Sequence, residues 1–369
     1  MSKAAQLAAL IGSGQAQGDK NLIINGAMQV SQRGTSAVAV PNGGYSTVDR
    51  MRFYESTGGA YTSEQSSDVP AGQGFSKSIK LACTTADSSI GAAEIATMSQ
   101  VIEGQNLQRL NYGTSDAKTI TLSFWVKSNK TGIYTIAIYK HAGGGTAYGC
   151  PVEYTISSAN TWEKKTITVT PTAGSTTLIT SSAGAIIDSN GAGIEVHWGL
   201  AWGSNYNSTN NTWSASGFYS TSNQVNWLDS TSNNFYITGI QLEVGTNASD
   251  FEHESYAETL QRCYRYFHFV GGDTAYQTIA TVTNFTTGQA LGLYQHPVEM
   301  RAAQTISKSG NWAALGGNTS VGQTVSADQN GPKTLQIGFS GGSGGTSGYS
   351  TTLRVDNDIN FRLTFSAEL

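Results

Sequence analysis

Apolar and polar residues alternate with period two over most of this chain. Residues 119–127 (TITLSFWVK) show it most clearly. Ile120, Leu122, Phe124 and Val126 point one way; Thr119, Thr121, Ser123, Trp125 and Lys127 point the other. One face is expected dry and the other wet with an aromatic on it, as in an antiparallel sandwich strand. The same alternation, rich in Thr, Val, Ile and aromatics, predicts strands at 48–55 (VDRMRFYE), 134–139 (YTIAIY), 165–170 (KTITVT), 193–198 (GIEVHW) and 235–242 (FYITGIQL). Many short strands with no long helix between them argue for two packed sheets.

The period changes at 255–267. Ser255 and Glu258 fit a capping box, and Tyr256, Leu260, Cys263, Tyr264 and Phe267 recur at helical spacing. Strands are again expected at 278–285, 289–294, 333–339, 349–355 and 360–365, with a glycine loop at 339–350. At the other end, Ala4, Leu7, Ala8 and Ile11 form one apolar stripe, stopped by Gly12-Ser13-Gly14. Two to three helical turns do not hold alone in water, so this stripe must dock on its own chain or on a partner. The expected organisation is an N-terminal docking segment (1–20), a sandwich (21–254), a linking helix (255–267) and a C-terminal β domain (268–369). The fold class is all-β: a jelly-roll β-sandwich followed by a short helix and a smaller C-terminal β domain.

Composition narrows the function. Only 12% of the 369 residues are charged and the formal net charge is −4, which gives no electrostatic footprint for nucleic acid. No apolar run reaches the roughly 18 residues of a membrane span, and the N-terminus lacks the continuous apolar core of a signal peptide. Cys83, Cys150 and Cys263 are far apart, and the five histidines are scattered, so no metal centre, disulfide framework or cofactor is expected.

Catalytic patterns are weak. Gly338-Phe-Ser340-Gly-Gly342 and Gly341-Gly-Ser343-Gly-Gly345 match a nucleophile-elbow pattern, but the last histidine, His296, precedes both serines. Glu94 with Glu103, or Glu195 with Glu243, could pair across a sheet, yet nothing fixes their separation. Asp328-Gln-Asn330-Gly331 and Asp356-Asn-Asp358 read as turns rather than calcium loops. The stronger feature is aromatic. Trp198, Trp202, Tyr206, Trp213, Phe218, Tyr219 and Trp227 fall within 30 residues of one another. Trp202, Tyr206, Trp213 and Tyr219 lie in a stretch crowded with Gly, Ser, Asn and Thr, where ring faces beside amide and hydroxyl donors suit a sugar. The competing reading is that these rings pin a long loop to the sandwich or fill a seam between subunits. Trp198, following Val196 in a clear strand, is expected against the core.

Several stretches, NLIINGAMQVSQRGTS (21–36), VDRMRFY, LSFWVKSNKTGIYTIAIY, WEKKTITV, SNQVNWLD and FYITGIQLEVGTNASDFEHESYAETLQRCYRYF, together resemble bacteriophage tail-fibre-like virion proteins with a carbohydrate-binding-module-like jelly roll. The resemblance covers roughly residues 1–267. It implies a protein of the virion surface, a homotrimer, and adhesion to a host glycan or protein receptor rather than catalysis. The N-terminal stripe would then dock on a virion adaptor or shell protein. The helical stripe of Tyr256, Leu260, Cys263, Tyr264 and Phe267 is expected to meet its copies at a threefold axis. A head fibre or capsid decoration protein is the alternative, and a polysaccharide-cleaving enzyme a more distant one.

Overall fold

The computed structural model describes residues 20–143, 146–215, 217–314, 324–328, 330–340 and 345–369. Ala4, Leu7, Ala8 and Ile11 lie outside them, as does part of the glycine loop. The chain divides into two compact units between Thr259 and Leu260.

The first unit contains β1 (Val38–Ala39), β2 (Gly44–Tyr45), β3 (Arg52–Glu55), β4 (Ala60–Ser66), β5 (Ser78–Thr85), β6 (Ile95–Glu103), β7 (Ile120–Ser128), β8 (Gly132–Lys140), β9 (Tyr148–Ile156), β10 (Glu163–Val169), β11 (Ala192–Trp202), β12 (Ser214–Ala215) and β13 (Asn234–Val244). All of their pairings are antiparallel. One sheet orders β1–β4–β5–β13–β7–β10, the other β12–β9–β8–β11–β6–β3–β2. From β6 onward the chain crosses repeatedly between the sheets, which is the winding of a jelly roll. Leu122, Phe124, Val126, Phe235 and Ile237 of the first sheet and Phe53, Met98, Ile136, Ile138, Val196 and Trp198 of the second are fully buried in one core.

The alternation in β7 holds, but its second face is not wet. Thr121, Ser123 and Lys127 are buried and only Trp125 is half-exposed. The reason is a covering segment. The Thr121 hydroxyl donates to the Gly245 carbonyl at 2.8 Å, and on neighbouring β13 the Gln241 amide donates to the Ser249 hydroxyl and the Asp250 carbonyl. Lys127 is ion-paired with Asp68, with its ammonium 4.3 Å from the centre of the Tyr236 ring.

The stretch NLIINGAMQV is a strap that ties the two sheets together. Asn21 accepts from the Leu242 amide (3.0 Å) and donates to the Ile240 carbonyl (3.0 Å), both on β13. Three residues on, the backbone of Ile24 exchanges two hydrogen bonds with the Gln100 side chain of β6. Gly26 has no choice of residue, because a Cβ there would stand 2.1 Å from the Ile240 carbonyl oxygen. Asn25, at φ 61°, closes the following turn by donating to the carbonyls of Val30 and Asp49.

The helix α1 spans Tyr256–Tyr264 and starts with the expected capping box: the Ser255 amide donates to Glu258 (3.0 Å) and the Glu258 amide to the Ser255 hydroxyl (3.3 Å). It ends earlier than the periodicity suggested. Phe267 opens a strand, β14 (Phe267–Val270), paired through Ser366 with the last strand of the chain. The expected helical face is therefore broken. Cys263 and Phe267 are already buried within the chain, Leu260 and Tyr264 are half-buried, and only Tyr256 is exposed, at 56%.

The second unit adds β15 (Thr278–Thr286), β16 (Gln289–Gln295), β17 (Thr305–Ser309), β18 (Trp312–Ala314), β19 (Thr324–Asp328), β20 (Thr334–Ser340), β21 (Ser350–Val355) and β22 (Arg362–Ser366). They form a sheet β14–β22–β17 and a sheet β18–β21–β15–β16–β20–β19 around Val282, Trp312, Ile337, Leu353, Phe361, Leu363 and Phe365. Asp358 closes a turn, accepting from the amides of Asn311 and Asn360, as expected for Asp356-Asn-Asp358.

A polar chain is buried in this unit. The Gln304 amide lies 2.8 Å from His296 Nε2, and His296 Nδ1 lies 2.9 Å from His268 Nε2. The Gln304 amide donates, so His296 carries its proton on Nδ1 and passes a hydrogen bond to His268. A second proton on either ring would set donor against donor. Burial, reinforced at His268 by the neighbouring His296, lowers His268 to about 3, and burial lowers His296 to about 4. Both lie below the ordinary value of 6.5, so their contribution to stability is complete above that pH and falls as pH drops toward the folded values. Scanning calorimetry of the full chain is expected to show the transition that includes this unit moving down by several degrees between about pH 6.5 and about pH 4. His296→Gln should flatten that slope. A pH-independent transition in the native chain would contradict the buried neutral pair.

Candidate functional site

The outward face of the second sheet collects the chemistry. Register places Arg52 of β3 and His197 of β11 opposite the same residue, Ser99 of β6, so all three point to one side. One step along, Glu195 stands opposite Tyr139 of β8, and Tyr54 stands opposite Thr97. Each of these strands puts apolar residues inward (Phe53, Ile138, Val196, Trp198) and polar or aromatic residues outward.

A β-bulge then adds an indole. The register of β11 against β6 shifts between Gly199 and Ala201. Strict alternation would send Trp202 inward with Trp198 and Leu200; the extra residue turns it outward instead. There it lies on Gly199, whose added Cβ would stand 2.2 Å from the indole nitrogen. The Gln224 side chain holds the bulge from the loop side, donating to the Gly199 carbonyl (3.3 Å) while accepting from the Thr135 amide (2.6 Å).

The loop from Gly203 to Asn226 lays two tyrosines over this floor. Tyr219 stacks on Trp202 with centroids 5.1 Å apart and planes 5° apart, and lies 4.8 Å from the His197 ring and 5.0 Å from Tyr139. Tyr206 meets Trp202 edge-on at 5.4 Å, and its hydroxyl donates to the Ala93 carbonyl. Three of the four expected aromatics thus converge. Trp213 does not: it is 1% exposed, donates to the Thr170 carbonyl (2.9 Å) and meets Tyr112 edge-on. Its ring anchors the loop in the core and has no face for a sugar. Trp202 is also covered, at 9% exposure, and backs Tyr219 rather than presenting its own face. The half-exposed layer is Tyr54, Tyr139, Tyr206, Tyr219, Arg52 and His141.

Beneath it, Glu195 is a hub. It accepts from the Ser99 hydroxyl (2.6 Å) and from His141 Nε2 (3.1 Å), and its Oε2 lies 3.6 Å from His197 Nε2. Burial alone would raise its carboxyl, but the nearby His197 imidazole and the bonds from His141 and Ser99 hold it down at about 2. Burial lowers His197 itself, so that ring is neutral near pH 7. Both His197 ring nitrogens, the Trp202 Nε1 and the Arg52 Nε are buried without a hydrogen-bond partner among the described residues. Unsatisfied buried groups cost about 1–3 kcal/mol each, and such a concentration in one place marks a site poised for a polar ligand.

The carboxylate pairs considered from sequence do not form. Glu195 and Glu243 lie on different sheets, and Glu94 and Glu103 at opposite ends of one strand. On the Glu195 face, Glu153 of β9 is two strands across and four residues along, roughly 16 Å by strand spacing and rise. Glycoside hydrolysis uses carboxyl pairs about 5–9.5 Å apart. Among the described residues no group of His, Cys, Asp and Glu could hold a metal ion.

No family model matches the chain, and no curated protein matches it. Solved structures do. The enzymatically active domain of tailspike protein 4 of bacteriophage CBA120 aligns over 61% of this chain and 21% of its own at 13% identity and a TM-score of 0.31. This chain therefore spans about a fifth of that protein's length. The family 11 carbohydrate-binding module of a Clostridium thermocellum cellulosomal cellulase aligns over 58% of this chain and 98% of its own (11% identity, TM-score 0.26). The xylan-binding CBM22-1 domain of Paenibacillus barcinonensis Xyn10C aligns over 58% and 99% (8% identity, TM-score 0.27). Values this low transfer no residue role to this chain.

Gly199→Ala tests the seat of Trp202 directly. The added methyl displaces the indole and uncouples it from Tyr219, so the chain should melt several degrees lower and its tryptophan emission should shift to the red. Unchanged melting and emission would contradict the stack.

Proposed function

We propose that this chain is a glycan-binding protein of the phage virion surface, a fibre-like adhesin that contacts the host through the outward face of its second sheet. The observation that carries the reading is the layered platform: half-exposed tyrosines and Arg52 above a buried floor of His197, Glu195 and Trp202, whose polar atoms are held in place but not all satisfied. Phenol rings offer faces to the C–H surface of a sugar, and fixed imidazole, carboxylate and guanidinium groups orient its hydroxyls. The sequence resemblance to tail-fibre-like virion proteins supports the location.

In this reading the N-terminal stripe docks on the particle and the chain works as a homotrimer. A single sugar contact is weak, but several copies on one particle raise apparent affinity by about 10²–10⁴ without new contacts. A head fibre would carry the same platform, and labelled virions seen by electron microscopy separate the two positions.

The test is affinity electrophoresis of the full chain against host surface polysaccharides. Tyr139→Ala and Tyr219→Ala are each expected to weaken retardation roughly tenfold, the scale of one aromatic contact. Trp162→Ala, on the other sheet, should leave it unchanged. If the platform variants bind like the native chain while Trp162→Ala does not, the reading fails.

A further inference from the structure

The platform contains one cation whose charge the fold leaves unused. Arg52 sits at the rim, in the same register row as Ser99 and His197. Its guanidinium carbon lies over the Tyr54 ring, 4.6 Å from the centre. No carboxylate pairs with it among the described residues. Glu195, one step along, already accepts from Ser99 and His141 and lies 3.6 Å from His197 Nε2. Arg33, by contrast, is ion-paired with Asp49, and Lys80 and Lys127 of the opposite sheet with Glu64 and Asp68. The Arg52 Nε is buried and without an acceptor, and the buried His197 ring makes no hydrogen bond among the described residues, its Nε2 lying 3.6 Å from Glu195 Oε2.

A guanidinium with free donors, held over a ring in the same register row as an imidazole that makes no hydrogen bond, matches one chemistry best. The fork takes two oxygens of a planar anion, and the imidazole takes an adjacent hydroxyl as donor or acceptor. Sugars that carry both groups are the acidic ones, with a ring carboxylate beside ring hydroxyls. A purely neutral glycan would leave the Arg52 fork without its natural partner and would have to bring its own hydroxyls to a charged group.

We infer that the glycan bound by this platform is acidic, a uronate-type polysaccharide whose carboxylate is held by Arg52 and whose neighbouring hydroxyl is held by His197. This rests on the platform being a glycan site, and deepens it to a ligand class.

The experiment compares polygalacturonate and alginate with neutral mixed-linkage β-glucan, using affinity electrophoresis of the full chain at low and high salt. Retardation by a polyuronate, weakening as salt rises and falling roughly tenfold or more in Arg52→Gln, is the expected result. Arg52→Lys keeps the charge but loses the fork, and should recover only part of the binding. Near-ultraviolet circular dichroism of each variant checks that the Tyr54 and Trp202 surroundings are kept; a variant that loses them is replaced by Arg52→Met. Binding to the neutral glucan alone, indifferent to Arg52, would overturn the acidic assignment and leave the glycan platform standing. Binding to none of these, nor to host polysaccharides, would remove both.

Discussion

One extra residue in one strand organises the outward face of this sandwich. Without the bulge between Gly199 and Ala201, Trp202 would point into a core that already holds Trp198, and the face would have no large flat ring to build on. With it, the indole lies across Gly199 and supports Tyr219, which in turn touches His197, Tyr139 and Tyr206. The loop that supplies Tyr206 and Tyr219 depends on the same feature, since Gln224 returns from it to bond the carbonyls the bulge leaves free. Trp213 fixes the loop's far side in the core. Bulges bend a strand and re-aim its side chains, and this one converts a flat sheet face into a layered site.

The electrostatics follow from the layering. Glu195 stays charged at a depth that would otherwise neutralise it, because His197 lies beside it and His141 and Ser99 donate to it. That leaves it little capacity to pair with Arg52, which has no carboxylate partner among the described residues. The opposite sheet shows the contrast. There Lys127 is enclosed by Asp68, Trp162 and Tyr236, and Trp162 also donates to Asp68. Rings and charges are as plentiful on that side, but they satisfy one another.

Much of this was legible in the sequence. Period-two alternation locates β3, β7, β8, β10, β11 and β13 of the first unit and β15, β16, β20, β21 and β22 of the second within a few residues, but not β4, β5, β6, β9, β17, β18 or β19, and the capping box at Ser255 and Glu258 marks the start of the helix. Arg52, Tyr54, Tyr139, Glu195 and His197 lie in strands that the alternation predicts, and His141 just past one, but the pattern does not single them out. Nothing in a linear pattern says that strands so distant in sequence lie side by side, so the site could not be assembled from it. Crowded aromatics pointed to the loop, and there the pattern could not separate an anchor from a ligand face: Trp213 and Tyr219 sit in the same polar surroundings, and only the packing sends one inward. The end of the helix was missed because Phe267 fits the helical stripe and the strand alternation of FHFV equally well. The wet face expected for β7 was missed because the covering segment at 245–252 comes from elsewhere in the chain.

The most direct measurement is a crystal structure of the full chain soaked in turn with short oligogalacturonates and short neutral β-glucan oligosaccharides. The account predicts a sugar lying across Tyr139 and Tyr219, with polar contacts to His197 and Arg52 and with Trp202 still stacked beneath. A sugar bound instead on Trp125, Trp162 and Tyr236 of the opposite sheet, or on the second unit, with the His197 face bare, would contradict it.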